Sequence, residues 1–444
     1  MSDDPLARLI AAVRGRAEAA DALWRRGETT SLSFEAGRLK AAGTVEEAGM
    51  NLRVVADGRV GIAGTTAADN PLEPLVARAL ASAALGEPIA LTLPESVPVP
   101  RVETYAAAAA AGPVDALVAL GRELVERLTR DGCQVNAAVE RHVGATAVAN
   151  TAGATGGYEA TTVSVSAEIT RIAGDDVLMI YDYYTGVDLP TRADVDALVR
   201  SIETRLERAL TITPPPEGSV PVVFSPFGFA VLALPLEQGL SGKTVLQGIS
   251  PLAGRVGDGV FDAALSVVDD PLTPGRAGSR PFDDEGVPSA RLALIDGGTV
   301  AQFIYDLETA GRAGVSSTGH GNRGIFGKPR PGYTNLMIGP SSTAGVGSGT
   351  LGGGLLGDIS DGLLVDDLIG VGQGNVVGGA FSHPVALAYR VQRGEITGRV
   401  KDAAVAGNVY DLLRRVGGWG DDGRWVGGRW SPSVLVEGVA VAGR

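Results

Sequence analysis

Three consecutive prolines, Pro214-Pro215-Pro216, divide the 444-residue chain into two stretches of different composition. Residues 1–210 hold 18 glycines and residues 211–444 hold 45. A proline triplet removes three backbone donors and favours an extended spacer, so no helix runs through it. The sequence therefore predicts two domains, 1–213 and 219–444.

In the first stretch, helix and strand patterns alternate. Leu6, Leu9, Ile10 and Val13 recur at i, i+3, i+4 and i+7, which predicts an amphipathic helix over 5–26. Ser31–Glu35 alternates as a strand. Asn51–Ala56 and Arg59–Ala63 flank Asp57-Gly58, a pair suited to a type I′ hairpin because both central residues need positive φ. Pro71–Leu85 and Val114–Leu128 read as helices, and the Pro- and Ala-rich residues 86–112 as a crossing segment. Gln134–His142, Ala145–Asn150, Glu159–Thr170 and Val177–Tyr184 read as antiparallel strands, and Thr191–Ala209 as a charged helix. Helix–strands–helix thus occurs twice, the pattern of an internal duplication.

The second stretch opens with an apolar strand, Val220–Phe224, and a helical segment, Pro226–Leu240, that contains Pro235. Short β-prone runs follow (Leu292–Ile295, Thr299–Tyr305, Leu336–Ile338, Leu363–Leu368 and Val385–Val391), cut by glycines. Residues 311–380 alone hold 21 glycines. Many short strands with tight bends are the mark of curved β structure. The fold expected is α+β: an N-terminal α/β domain with antiparallel strands and a C-terminal glycine-rich, mainly β, barrel-like domain.

Charge excludes one function class. With 38 basic and 51 acidic residues the net charge is −13, which opposes binding to a phosphate backbone. The single cysteine, Cys133, can form neither an internal disulfide nor a cysteine-rich zinc knuckle. The N-terminus has acids before any apolar run, unlike a secretory signal, and the most apolar run, Phe227–Leu236, is about half a membrane span. A cytoplasmic protein without nucleic-acid or membrane partners is expected.

Few motifs carry chemistry. Gly242-Lys243-Thr244 lacks the upstream glycine and strand of a phosphate-binding loop, and reads as a helix-ending turn. Gly347-Ser348-Gly349-Thr350-Leu351-Gly352 matches a dinucleotide fingerprint by letter, but without strand–turn–helix context. The histidines, His142, His320 and His383, are too far apart in sequence to pair as ligands on one helix. His142 and His383 read as ordinary strand residues. His320 lies in the polar loop Ser316–Arg323, a setting suited to binding. Asp283-Asp284-Glu285-Gly286 lacks EF-hand spacing and reads as a solvated turn. Asp366-Asp367 reads as charges guarding a strand edge.

A series of blocks in the second stretch resembles the TldD/PmbA family. They begin with Asp269-Asp270-Pro271 and Gly278-Ser279-Arg280-Pro281-Phe282-Asp283-Asp284-Glu285-Gly286-Val287-Pro288. Ile295-Asp296-Gly297-Gly298, Phe303-Ile304-Tyr305-Asp306, Ser317-Thr318-Gly319 and Asn322-Arg323 follow. Asn335-Leu336, Gly339, Gly378–Ser382, Gly394-Glu395-Ile396 and Ala406-Gly407-Asn408 complete the order. The first stretch is similar more loosely, through its opening helix, the Ser31–Glu35 strand and the Asp57–Gly61 hairpin.

The resemblance implies a two-domain protein working in a cytoplasmic metallopeptidase. In that family a TldD-type subunit carries an HExxxH helix whose histidines hold zinc and whose Glu activates water. A TldE/PmbA-type subunit lacks the motif, and the pair cleaves or matures peptides. Here the helix after Val220–Phe224 reads Leu232-Ala233-Leu234-Pro235-Leu236-Glu237-Gln238-Gly239-Leu240. Leu234 and Gly239 stand where the two histidines would be, and Pro235 where the Glu would be. None of these can ligate zinc or move a proton. The resemblance is therefore to the TldE/PmbA side. It implies no catalytic or metal-binding residue and no cofactor in this chain, a TldD-like partner that carries the zinc, and a peptide substrate.

His320, Asn322 and Arg323 are the candidate substrate contacts. Arg323 could hold a carboxylate with its forked donors, or pair with an acid of the Asp283–Glu285 run and brace the loop. Two other functions fit the residues: a self-sufficient hydrolase built on His320, Arg323 and the acidic run, or a scaffold that binds peptide by strand addition.

Overall fold

The computed structural model describes residues 4–66, 72–95, 99–340 and 351–443. Pro71 and residues 347–350, which entered the reading above, lie outside them. The chain forms two compact units. The first comprises Met1–Ile202, Pro271–Ala290 and Ile304–Thr334; the second comprises Glu203–Asp270, Arg291–Phe303 and Asn335–Arg444. Two segments that follow the proline triplet in sequence thus belong to the first unit.

In the first unit α1 (Pro5–Val13) starts on Asp4, whose carboxylate accepts from the Leu6 N–H at 3.0 Å, with Pro5 in its first turn. Its apolar stripe, Leu6, Leu9, Ile10 and Val13, is buried against Leu52, Val54, Leu75 and Val76. Each such side chain contributes roughly 1.5–3 kcal/mol by leaving water. The helix expected over 5–26 is shorter than its pattern. The chain leaves helical geometry at Arg14, Gly15 turns with φ +76°, and a strand begins at Ala19. The alanines of Ala17–Ala22 fit either period, and pairing with two neighbouring strands decides for β.

That strand, β1 (Ala19–Glu35), is followed by β2 (Arg38–Ala56), β3 (Arg59–Thr65) and helix α2 (Glu73–Ala83). The short α3 (Ala107–Ala111) and then α4 (Val114–Leu128) lead into β4 (Cys133–Asn150), β5 (Thr155–Ala173), β6 (Asp176–Gly186) and helix α5 (Arg192–Ala209), whose residues from Glu203 onward belong to the second unit. The β2–β3 hairpin turns at Asp57 and Gly58, both with positive φ. The two strands expected between Gln134 and Asn150 are one continuous β4. All six strands form one antiparallel sheet in the order β3-β2-β1-β4-β5-β6. Its halves, α1–β1–β2–β3–α2 and α4–β4–β5–β6–α5, repeat the same succession and meet along the β1–β4 ladder.

The second unit contains β7 (Gly218–Phe224), helix α6 (Ala230–Gly239) and the C-terminal strands. Asp361–Leu368, β7, Val434–Gly443, Ala403–Asn408 and Ala380–Gln392 pair in turn, and the last returns to the first, closing a barrel. Closure leaves no open edge on these strands. A smaller sheet includes Ser266–Asp269, Leu292–Asp296 and Leu336–Gly339. The strand expected over Thr299–Tyr305 stops at Val300, where the chain leaves the ladder.

Asp366 is not an edge charge. Its strand is paired on both sides, and its carboxylate accepts from Ser225 Oγ at 2.6 Å and Arg205 Nε at 2.7 Å, all three groups being buried. Among the described residues no helix is long and apolar enough to cross a membrane.

Candidate functional site

In the second unit β7 ends at Phe224, and after the turn through Ser225 the chain enters α6. This helix carries the three positions set apart by the sequence. Leu234 is half-buried; Pro235 and Gly239 are buried. Pro235 deprives the helix of one N–H. The Tyr410 hydroxyl lies 2.9 Å from the Pro235 carbonyl and 3.0 Å from that of Val377, and donates its one proton to either. The same hydroxyl stands where a β-carbon on residue 239 would be. Burial raises the Tyr410 pKa, so the hydroxyl stays a donor.

Tested against a zinc ion, these residues do not fit. Leu, Pro and Gly offer no ligand atom from their side chains, and the space beside residue 239 is filled by Tyr410. Glu237, on the same helix, lies 3.6 Å from Arg429 Nη1; burial raises its pKa, against the pull of that guanidinium. Among the described residues no three of His, Cys, Asp and Glu group as metal ligands.

The first unit holds the densest cluster of chemistry. The acidic run expected to be a solvated turn is buried: Asp283, Asp284 and Glu285 are all at most 2% exposed. The loop is built around its own carboxylates. Asp283 Oδ1 accepts from the Glu285 and Val287 N–H groups, both at 2.9 Å, and Oδ2 from the Gly321 N–H at 2.7 Å. Asp284 pairs with Arg25 at 2.5 Å and accepts from the Arg323 N–H at 2.8 Å. Glu285 pairs with Arg53 at 2.7 Å and accepts from the Leu307 N–H at 2.7 Å. The run was legible as acidic, but its partners Arg25 and Arg53 lie far away in sequence on β1 and β2.

Arg53 also donates to Asp21 at 2.6 Å, and Asp21 pairs with Arg323 at 2.7 Å. A chain of alternating charge, Glu285–Arg53–Asp21–Arg323, thus runs through the interior of the unit. Burial alone would raise the Asp21 pKa, but Arg323 and Arg53 hold it below its ordinary value. Burial pushes Glu285 up to about 8, against the pull of Arg53. Asp283 and Asp306 are also raised, chiefly by burial. The composition of the cluster accounts for this. Asp21, Asp283, Asp284, Glu285 and Asp306 face Arg25, Arg53, Arg280 and Arg323, five acids to four guanidiniums, so one carboxyl can keep its proton.

The three candidate substrate contacts fall in this unit but not on one surface. His320 is fully buried, with Nδ1 2.8 Å from the Thr318 carbonyl and 2.9 Å from its hydroxyl. The Arg323 guanidinium is buried; besides Asp21 it reaches Asn51 Oδ1 at 3.1 Å. Asn322 is exposed, in a two-residue ladder with Arg330 and Pro331. Sequence reasoning missed Asn51, which donates to the carbonyls of Ile325 and Gly327 and straps the loop to β2. Two polar residues in alternate positions of a mostly apolar strand, Asn51 and Arg53 within Met50–Val55, were the signal for it.

The PmbA/TldA metallopeptidase C-terminal domain matches residues 217–443, and PmbA/TldA metallopeptidase domain 1 matches residues 20–83. The chain belongs to this TldD/PmbA family. Within it the chain is TldE-like: it is similar to the crystal structure of TldE from Thermococcus kodakarensis, with TM-score 0.88 and 25% identity, covering 99% of this chain and 100% of that one. A metalloprotease of Methanothermobacter thermautotrophicus is 26% identical over 433 residues, 95% of this chain and 92% of that one. A metalloprotease of Methanocaldococcus jannaschii is 28% identical over 220 residues, 49% of this chain and 47% of that one.

Proposed function

We propose that this chain is a non-catalytic subunit of a cytoplasmic heteromeric metallopeptidase. A TldD-like partner supplies the zinc, and this chain helps form the cavity in which peptides are cut or matured. The observation that carries the reading is α6: Leu234, Pro235 and Gly239 offer no ligand or base, and Tyr410 fills the space beside residue 239. Lost ligands alone could leave an empty pocket. Here the place is occupied by a hydrogen-bonded tyrosine, which supports a helix settled into a structural role.

The cluster in the first unit supports the same reading. A self-sufficient hydrolase built on His320, Arg323 and the acidic run needs those groups free to meet substrate, and each is buried with an internal partner. Asn322 is the exposed member of the candidate trio and the one we assign to peptide contact; His320 and Arg323 hold the loop beneath it. Metal analysis of the purified chain tests the proposal. The expected result is no stoichiometric zinc after dialysis against micromolar zinc; one tightly held zinc per chain would refute it.

A further inference from the structure

β3 covers β2 only from Met50 to Ala56. Gly49 is buried against Thr65 and Ile325, while the run before it, Arg38 to Glu47, pairs with β1 on one side and has no backbone partner on the other among the described residues. Arg38 to Glu47 are all exposed, including Leu39 and Val45. An open run of this length is a template for another strand, and proteins usually blunt such edges with lysine, proline or inward charges. Residues 41–45, Ala-Ala-Gly-Thr-Val, carry none of these.

The duplicated half of the sheet provides an internal comparison. β6 covers β5 only from Val163 onward, leaving the corresponding N-terminal run of β5 beyond it. There an extended segment lies alongside: the Thr161 N–H donates to the Thr104 carbonyl at 2.8 Å, and Thr104 Oγ1 donates to the Glu159 carbonyl at 2.6 Å. The fold covers one copy of this edge with its own chain and, among the described residues, leaves the other open.

The charges along β2 say what fits it. Arg38 and Lys40 stand at one end of the open run, Glu46 and Glu47 at the other. Two such strands, antiparallel about Gly43, lay the basic end of each beside the acidic end of the other. Opposite charges facing across strands stabilise a pair, and like charges oppose it. A contact in which the same residues meet on both sides is isologous and closes at two copies.

We propose that the β2 edge from Arg38 to Glu47 joins antiparallel to β2 of a second copy of this chain, with the twofold axis at Gly43. The proposal does not rest on pairing with a zinc-bearing subunit, because it concerns the chain by itself. Gly43 has open space around a β-carbon, so a cysteine there is accommodated. Facing cysteines on antiparallel strands lie within about 4.5–5.5 Å between Cα atoms, inside disulfide range.

The test uses the full chain with Cys133→Ser, carrying Gly43→Cys or, as a control on an exposed strand position elsewhere, Ile172→Cys. Under mild oxidation Gly43→Cys should give a covalent dimer on non-reducing gels at least tenfold faster than Ile172→Cys. Light scattering of the unmodified chain should report a dimer. Glu46→Lys with Glu47→Lys should shift it toward monomer, and adding Arg38→Glu with Lys40→Glu should restore the dimer. A monomer at all concentrations, equal cross-linking rates, or cross-linking of Gly43→Cys only to a TldD-like subunit would overturn the proposal.

Discussion

The hydroxyl of Tyr410 occupies the space that a β-carbon on Gly239 would need, while hydrogen-bonding the carbonyl of Pro235 four residues earlier on the same helix. Position 239 is therefore glycine because of a neighbour, and the neighbour is held by the backbone it faces. Replacing Gly239 by Ala should cost about 1–3 kcal/mol, as overpacking does. In a Tyr410→Phe background the same replacement should cost clearly less, since the obstructing oxygen is gone. A double-mutant cycle by urea unfolding reads the coupling; strictly additive effects would show that the two positions are independent.

Arg53 joins Asp21 to Glu285 in the interior of the first unit. Arg53→Met leaves two buried acids without their shared partner and should cost about 3–5 kcal/mol. Arg53→Lys should recover only part of this, because an ammonium lacks the fork that reaches both carboxylates. Denaturant midpoints for the two variants decide the matter, and full stability in Arg53→Met would remove the cluster from the account.

The raised pKa of Glu285 gives stability a definite dependence on pH. Between its ordinary value of 4.5 and about 8 the folded protein binds a proton that the unfolded chain has released. Its contribution therefore falls as pH rises through that window. Asp21 acts in the opposite sense: its lowered pKa contributes stability above 3.8 that is lost as pH falls below it. Melting temperature should decline from pH 5 to pH 8.5, and Glu285→Gln should flatten the decline. An unchanged slope in Glu285→Gln would assign the proton elsewhere.

In the second unit, Arg205 Nε and Ser225 Oγ both donate to Asp366, and the guanidinium of Arg205 stacks on Phe227 at 4.4 Å. Asp366→Ala should cost about 3–5 kcal/mol by removing the carboxylate that pairs with a buried guanidinium. Ser225→Ala, which removes one hydrogen bond to a charged group, should cost about 1.5–3 kcal/mol. Calorimetry of both variants checks the order; a larger loss for Ser225→Ala would reverse the reading.

Local chemistry was legible in the sequence. The Asp57-Gly58 hairpin, α4 and the helix bearing Pro235 follow from residues a few positions apart, and the glycine-rich half does form a closed barrel. What was not legible depends on distant partners. The acidic run looked solvated because Arg53 and Arg25 lie on strands more than two hundred residues earlier. His320 and Arg323 looked like an exposed binding loop because the acceptors that bury Arg323, Asp21 and Asn51, lie as far away. The helix expected over 5–26 was overlong because alanine satisfies either period, and strand pairing rather than local pattern ended it at Val13.

Peptide hydrolysis by this chain alone and after mixing with an HExxxH-bearing TldD-like subunit tests the central claim most directly. The account predicts no cleavage by this chain at any zinc concentration, and chelator-sensitive cleavage by the mixture at a rate well above that of the TldD-like subunit alone. Zinc-dependent cleavage by this chain alone, or a mixture no faster than its zinc-bearing member, would contradict it.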